Sequence, residues 1–178
     1  FSAAENQTAI GSVTATDADG DSLTYSISGS EINISSSGVL TFATAPDYET
    51  KNSYTATVTV SDGAVSTTQD ITINITDVDE APTITSSSTF TIAENQTSVG
   101  SVTATDPENQ SLTYAIYSLP APLAGEQYSG GSINSSTGAI TLNGTGFNYE
   151  ERTSITAQVE VSDGTNAVTQ DITINITD

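Results

Sequence analysis

FSAAENQTAIGSVTATDADGDSLTYSI occupies residues 1–27, and FTIAENQTSVGSVTATDPENQSLTYAI occupies residues 90–116. Two thirds of the aligned positions are identical, at an offset of 89. The octet DITINITD at 70–77 returns at 171–178, at an offset of 101. The chain therefore holds one unit twice, and self-similarity at a fixed period marks a repeat architecture. SSGVLT at 36–41 aligns with STGAIT at 136–141, so most of the length difference falls in an insertion near 117–131. The units divide as 1–79 and 80–178. The sequence reads as a two-unit excerpt of a longer array, because a repeat protein standing alone is expected to carry capping ends.

Within each unit the apolar period is 2. Tyr54, Ala56, Val58 and Val60 alternate with Thr and Ser, and Ile71, Ile73 and Ile75 alternate with Thr72, Asn74 and Thr76. Such alternation belongs to half-buried antiparallel strands and not to helices. Turn clusters (DADGD, SSSG, SDG) separate the runs. Strands are expected at about 1–4, 9–16, 22–28, 32–35, 39–43, 53–61 and 66–76. The fold class is all-β: two tandem Greek-key β-sandwiches, immunoglobulin-like in strand count, of about seven strands each. A barrel is the alternative.

The 178 residues include 22 acids and 2 bases, Lys51 and Arg152, for a formal charge of −20. Nucleic-acid binding needs cationic side chains to displace counterions, so no nucleic-acid partner is expected. No run of 18 apolar residues exists, so no membrane insertion by this segment is expected. The chain has no His and no Cys. That excludes Ser-His-Asp and Cys-His catalysis, thiolate or imidazole metal ligation and disulfide frameworks. Carboxylates, amides, hydroxyls and carbonyls remain. A cysteine-free, Lys-poor, Thr-rich β-composition suits an extracellular or cell-surface bacterial protein.

The acids are concentrated in turns. Glu5 lies in AEN, Asp17 and Asp19 in DADGD, Asp47 and Glu49 in PDYE, and Asp62 in SDG. Asp77, Asp79 and Glu80 lie in DVDEAP at the junction of the units. The second unit repeats the pattern with Glu94, Asp106, Glu108, Glu150, Asp163 and Asp178. Carboxylates two residues apart in a loop can aim oxygens at one centre, and Ca2+ takes about six to eight such oxygens. A solvated acidic surface would instead spread its acids over strand faces.

The ordered set AEN, DxD, PDYE, SDGA and DVDEAP, covering both units, resembles tandem bacterial cadherin-like repeats. The resemblance implies calcium bound between consecutive domains. It implies upper ligands Glu5, Asp47 and Glu49, with Asp79 and Glu80 from the linker and the carbonyls of Val78 and Ala81. The lower ligands would be Asp106, Glu108 and Asp163. Weaker half-sites would be Asp17, Asp19 and Asp62 toward a preceding domain, and Glu94, Asn148, Glu150 and Asp178 toward a following one, with Asp77 at the linker start. The chain departs from the family pattern in places. AEN replaces PEN, the linker is one residue shorter, DPE stands for DxD in unit 2, and Asn148 replaces the Asp of PDYE. The chain has no Trp, so strand-exchange adhesion is not carried over.

The implied function is a calcium-binding structural or adhesive extender of a large surface protein, such as a bacterial adhesin, stiffened by Ca2+ at the junction. Its partners would be neighbouring domains, with homophilic cell adhesion to another copy as an option. The alternative is a carbohydrate-binding module of a polysaccharide-degrading or surface protein. No enzyme is expected. The carboxylate pairs Asp47/Glu49 and Glu150/Glu151 recur as structural ligands would, and not as a glycosidase pair. The sequons, such as Asn6-Gln7-Thr8 and Asn74-Ile75-Thr76, read as turn and strand composition. The insertion, with Tyr117, Leu119, Pro120, Pro122, Leu123, Gly125 and Tyr128, is either a neutral loop extension or a ligand-contacting loop.

Overall fold

The structure, a computed structural model, describes residues 1–122, 128–144 and 146–178. The chain divides into two compact units, Phe1–Val78 and Asp79–Asp178.

Unit 1 contains β1 (Ser2–Ala4), β2 (Ala9–Ser12), β3 (Thr24–Ile27), β4 (Ile32–Ile34), β5 (Val39–Phe42), β6 (Ser53–Ser61) and β7 (Ser66–Thr76). Unit 2 contains β8 (Thr83–Ile84), β9 (Thr89–Ala93), β10 (Ser98–Ser101), β11 (Ala104–Thr105), β12 (Thr113–Ser118), β13 (Tyr128–Ile133), β14 (Ala139–Gly144), β15 (Ser154–Ser162) and β16 (Ala167–Thr177). Each unit faces a four-stranded sheet against a three-stranded one. In unit 1 these are β1-β7-β6-β3 and β2-β5-β4. In unit 2 they are β9-β16-β15-β12 and β10-β14-β13, with a separate β8-β11 pair. Both units are β-sandwiches and not barrels.

The alternation drives this packing. In β7 the residues Ile71, Ile73 and Ile75 are buried, while the Thr and Asn between them are exposed. Leu40, Phe42 and Ile32 of the opposing sheet complete the core of unit 1. Unit 2 repeats the arrangement with Ile172, Ile174 and Ile176 against Ile140 and Leu142, and adds Phe147. The first strand of each four-stranded sheet runs parallel to the last: Ser2 lies opposite Asn74, and Thr89 opposite Thr173.

Two differences from the expected strands have local causes. The run 9–16 forms a strand only as far as Ser12, after a register shift between Ala9 and Gly11. Its counterpart in unit 2 breaks into β10 and β11. Gly38 and Gly138 sit at φ +82° and +67° in the turns that close β4-β5 and β13-β14. A Cβ on either would come within 2.2 Å and 2.1 Å of the Val13 and Val102 carbonyl oxygens, so only Gly fits.

The insertion lengthens β12 and leads into β13. Leu119 packs on the unit 2 core, and Tyr117 is exposed. The Arg152 guanidinium donates to the Ala121 carbonyl at 3.5 Å. Leu123 and Gly125 lie outside the described residues.

Candidate metal centres

Acidic side chains gather at both ends of each sandwich. Asp62 lies in the turn before β7 and Asp77 directly after it; Asp163 lies before β16 and Asp178 after it. An 11-residue strand spans about 33 Å at roughly 3.3 Å per residue. One repeat thus carries two acid groups too far apart to share an ion.

The C-terminal end of unit 1 is organised by AEN. Asn6 adopts φ +60°, a left-handed turn that Asn tolerates better than most residues. Its amide donates to the Pro46 carbonyl at 3.0 Å, and the Glu5 amide donates to Thr76 O at 3.1 Å. The turn aims the Glu5 side chain inward, where it is 3% exposed. Glu5 Oε2 accepts from the Tyr48 amide at 2.7 Å and Oε1 from the Val78 amide at 2.8 Å. Asp47 Oδ1 accepts from the Thr50 amide at 2.9 Å. An oxygen of Glu49 lies within 4.8 Å of one from Glu5 and within the same distance of one from Asp77. Glu5, Glu49 and Asp77 are therefore close together, with Asp47 in the same loop. Val78 is exposed.

Unit 2 repeats this end. Asn95 has φ +59°, the Glu94 amide donates to Thr177 O at 2.7 Å, and Glu94 Oε2 accepts from the Tyr149 amide at 3.0 Å. Asn148 Oδ1 accepts from the Glu150 amide at 3.1 Å. Glu150 and Asp178 are exposed.

The N-terminal end of unit 2 brings together Asp79, Glu80, Asp106, Glu108 and Asp163. Asp106 is buried, and its Oδ1 accepts from the Gln110 amide at 2.9 Å. The Gln110 side chain donates to Asp79 Oδ1. Asp79 Oδ2 and its carbonyl accept from the Asn166 side chain at 3.0 and 3.2 Å. Asp163 Oδ1 accepts from the Thr165 and Asn166 amides, both at 2.6 Å. Ala81, the predicted carbonyl ligand, is exposed. Gln110 and Asn166 were not anticipated as organisers of this network. A comparison of the copies could have found them, since unit 1 has Asp21 and Val65 at those positions.

The N-terminal end of unit 1 is built alike. Asp17 Oδ1 accepts from the Asp19 and Asp21 amides at 2.9 and 3.0 Å. Asp62 Oδ1 accepts from the Ala64 and Val65 amides, both at 2.7 Å. Asp19 is exposed. The Val65 amide, with that of Ala64, holds the Asp62 carboxyl below its usual value.

The N-terminal end of unit 2 has the chemistry of an oxygen-ligand cation site. Asp106 Oδ2, both Glu108 carboxylate oxygens and Asp163 Oδ2 are buried and make no hydrogen bond. Buried carboxylate oxygens are normally hydrogen-bonded or on a metal. The neighbouring Glu80 carboxyl, and then burial, raise the Glu108 carboxyl above its usual value. At Asp163 burial pushes upward, but the Asn166 and Thr165 amides outweigh it and the carboxyl stays below its usual value. With no cationic side chain in this network, these oxygens could hold a hard divalent metal.

Comparison with known proteins agrees with this architecture. Residues 88–177, half of the chain, match the Cadherin domain family, and residues 1–76 match the Bacterial Ig domain family. The chain is 36% identical over 167 residues to Chitinase A of Pseudoalteromonas piscicida, covering 92% of this chain and 19% of that protein. It is 31% identical over 137 residues to Cadherin EGF LAG seven-pass G-type receptor 1 of Mus musculus, covering 72% of this chain and 4% of the receptor. The chain thus spans less than a fifth of either relative. Human protocadherin-24 EC1-2 superposes with a TM-score of 0.64 at 21% identity, covering 100% of this chain and 93% of that one. The protocadherin gammaB7 EC3-6 cis-dimer structure gives 0.57 at 23%, covering 99% and 48%. At these identities the structural likeness is one of fold. With the family match, the ordered motifs and the sandwich topology in agreement, the chain belongs to the cadherin domain family.

Proposed function

We propose that this chain is a calcium-binding structural module, an extender of a large extracellular or surface protein, with its repeats divided at 79/80 and stiffened by Ca2+ at their junction. Its ligands would be Glu5, Asp47, Glu49, Asp79, Glu80, Asp106, Glu108 and Asp163, with the carbonyls of Val78 and Ala81. The residues Asp17, Asp19 and Asp62, and Glu94, Asn148, Glu150 and Asp178, would serve neighbouring domains, with Asp77 at the start of the linker. The observation that carries the reading is the set of buried oxygens on Asp106, Glu108 and Asp163 that make no hydrogen bond. Calcium would supply the counter-charge that two basic residues cannot. Without it the carboxylates repel one another; with it the native state gains stability by mass action.

Melting and small-angle scattering in Ca2+ and in EDTA test the proposal. Calcium at a hundred times its dissociation constant adds about 2.7 kcal/mol per site, or about 11–22 °C for a domain of this size. The maximum dimension should also rise. If EDTA changes neither quantity, the proposal fails.

A second reading, a carbohydrate-binding module, is favoured by the 36% identity to a chitinase and by the exposed Tyr117 ring. Calcium-dependent retention on one insoluble polysaccharide would promote it; passage through a panel of such polymers without retention would remove it.

A further inference from the structure

The insertion in unit 2 begins as a β-bulge. In unit 1 the pairing of β3 with β6 runs on unbroken, with Ile27 opposite Val58 and the Ser28 amide donating to Thr57 O at 2.9 Å. In unit 2 Ile116 lies opposite Val159 and Ser118 opposite Gln158, with a register shift between them. Val159 and Gln158 are the counterparts of Val58 and Thr57, so Tyr117 is the one residue added to the ladder. A bulge bends its strand and re-aims the side chain it carries. Tyr117 is 69% exposed, more than any other large hydrophobic side chain among the described residues. The core does not need this ring, since Leu119 and not Tyr117 packs on it.

The sheet face beside the bulge is polar and already ordered. Gln158 Nε2 donates to Asp171 Oδ1 at 2.9 Å across β15 and β16, where unit 1 has the Thr57 hydroxyl on Asp70 at 2.7 Å. An amide side chain has a carbonyl oxygen and a second N–H besides the one given to Asp171. Glu160, two residues from Gln158 and so on the same face, lies opposite Ala115. The equivalent face of unit 1 has no ring. It is a hollow of about 390 Å³ lined by Ser28, Thr55, Thr57, Asp70 and Thr72.

We infer that Tyr117, Gln158 and Asp171 form a binding site for an uncharged polysaccharide of equatorially substituted sugars. The inference rests on the carbohydrate-binding reading above and gives it a place and a substrate class. Such a sugar has a flat C–H face, which stacks on the phenol ring. Its rim hydroxyls both donate and accept, which suits an amide beside a carboxylate. Tyrosine supplies that contact at low entropic cost, because only two torsions need be fixed. Asp171 and Glu160, on a chain of formal charge −20, repel sulfated or uronic polymers.

The test is depletion of the full 178-residue chain, in calcium, by beads of chitin, of cellulose and of calcium alginate. The parent chain should be retained on chitin or cellulose and should pass the anionic alginate. Tyr117→Phe should keep the affinity, and Tyr117→Ser should lower it about tenfold or more. Gln158→Thr, which installs the unit 1 residue, should lower it about three- to tenfold. Full retention of Tyr117→Ser overturns the inference and leaves the carbohydrate-binding reading to another surface. Preference for alginate overturns the substrate class. Passage of the parent through all three beads removes the carbohydrate-binding reading and this site with it. If, in addition, sedimentation shows a dimer that Tyr117→Ser dissociates, the occupant is a second copy and the inference is again overturned.

Discussion

Replacing Glu49 by Gln should stabilise unit 1 in chelator and destabilise it in calcium. The Glu49 carboxylate lies within 4.8 Å of an oxygen of Glu5 and of one of Asp77. Each like-charge pair at that distance costs about 0.9 kcal/mol in bulk water and about 3.5 kcal/mol at an effective dielectric of 20. Glu49 and Asp77 are exposed, so the lower figure governs, and two pairs give about 1–2 kcal/mol. For a domain of this size that is a rise in melting temperature of about 4–8 °C or more. Gln keeps the shape and leaves the two hydrogen bonds of Glu5 intact. In saturating calcium the sign reverses, because a charged ligand has been lost. The assay is calorimetry in low-salt EDTA and in calcium. Raising the salt should shrink the gain in EDTA as the Debye length contracts. A variant that melts at or below the parent in low-salt EDTA would refute the claim that this carboxylate group is under repulsion.

The remaining expectations concern turns, protons and ligands. Gly138→Ala should lower the stability of unit 2 by about 2 kcal/mol or more, measured by urea unfolding, because its φ is +67° and its Cβ would overlap Val102 O; an unchanged midpoint would contradict the geometry. The Asp62 carboxyl titrates below its ordinary 3.8 in the folded state. Its stabilising contribution is therefore complete above that value and lost as pH falls through the depressed folded one, so Asp62→Ala should destabilise at pH 7 and much less at the acid end of a melting series. Glu108 moves the opposite way, upward from 4.5. Protons should therefore compete with calcium there as pH falls toward that raised value, and isothermal titration of Glu108→Gln should show a weaker affinity with a flatter pH dependence.

Much of the fold was legible because its two signals are local. Alternation in Ile71–Ile75 and its copy Ile172–Ile176 fixes which face is buried, and the positions of Glu5, Asp47, Glu49 and Asp163 place acids in turns. What escaped depends on partners distant in sequence. β8 is two residues long and carries no alternation of its own; it is a strand only because Thr103–Thr105 offers an edge. Gln110 and Asn166 are unremarkable as letters, and their role arises from being folded against Asp79. Ser12 ends a strand whose alternation continues to Thr16, since the partner strand begins at Val39, opposite Ser12, and among the described residues no strand lies beyond it to pair with Thr14–Thr16.

The parallel pairing of first and last strands has a mechanical consequence. Pulled from its two ends, each repeat loads β1 against β7, or β9 against β16, in opposite directions along their length. The hydrogen bonds between them are then sheared together and are not opened one by one. Unit 1 has three registered pairs in this clamp and unit 2 has five. Forced unfolding is governed by the unfolding rate and not by equilibrium stability, so unit 1 should yield first under tension even where the two repeats melt alike.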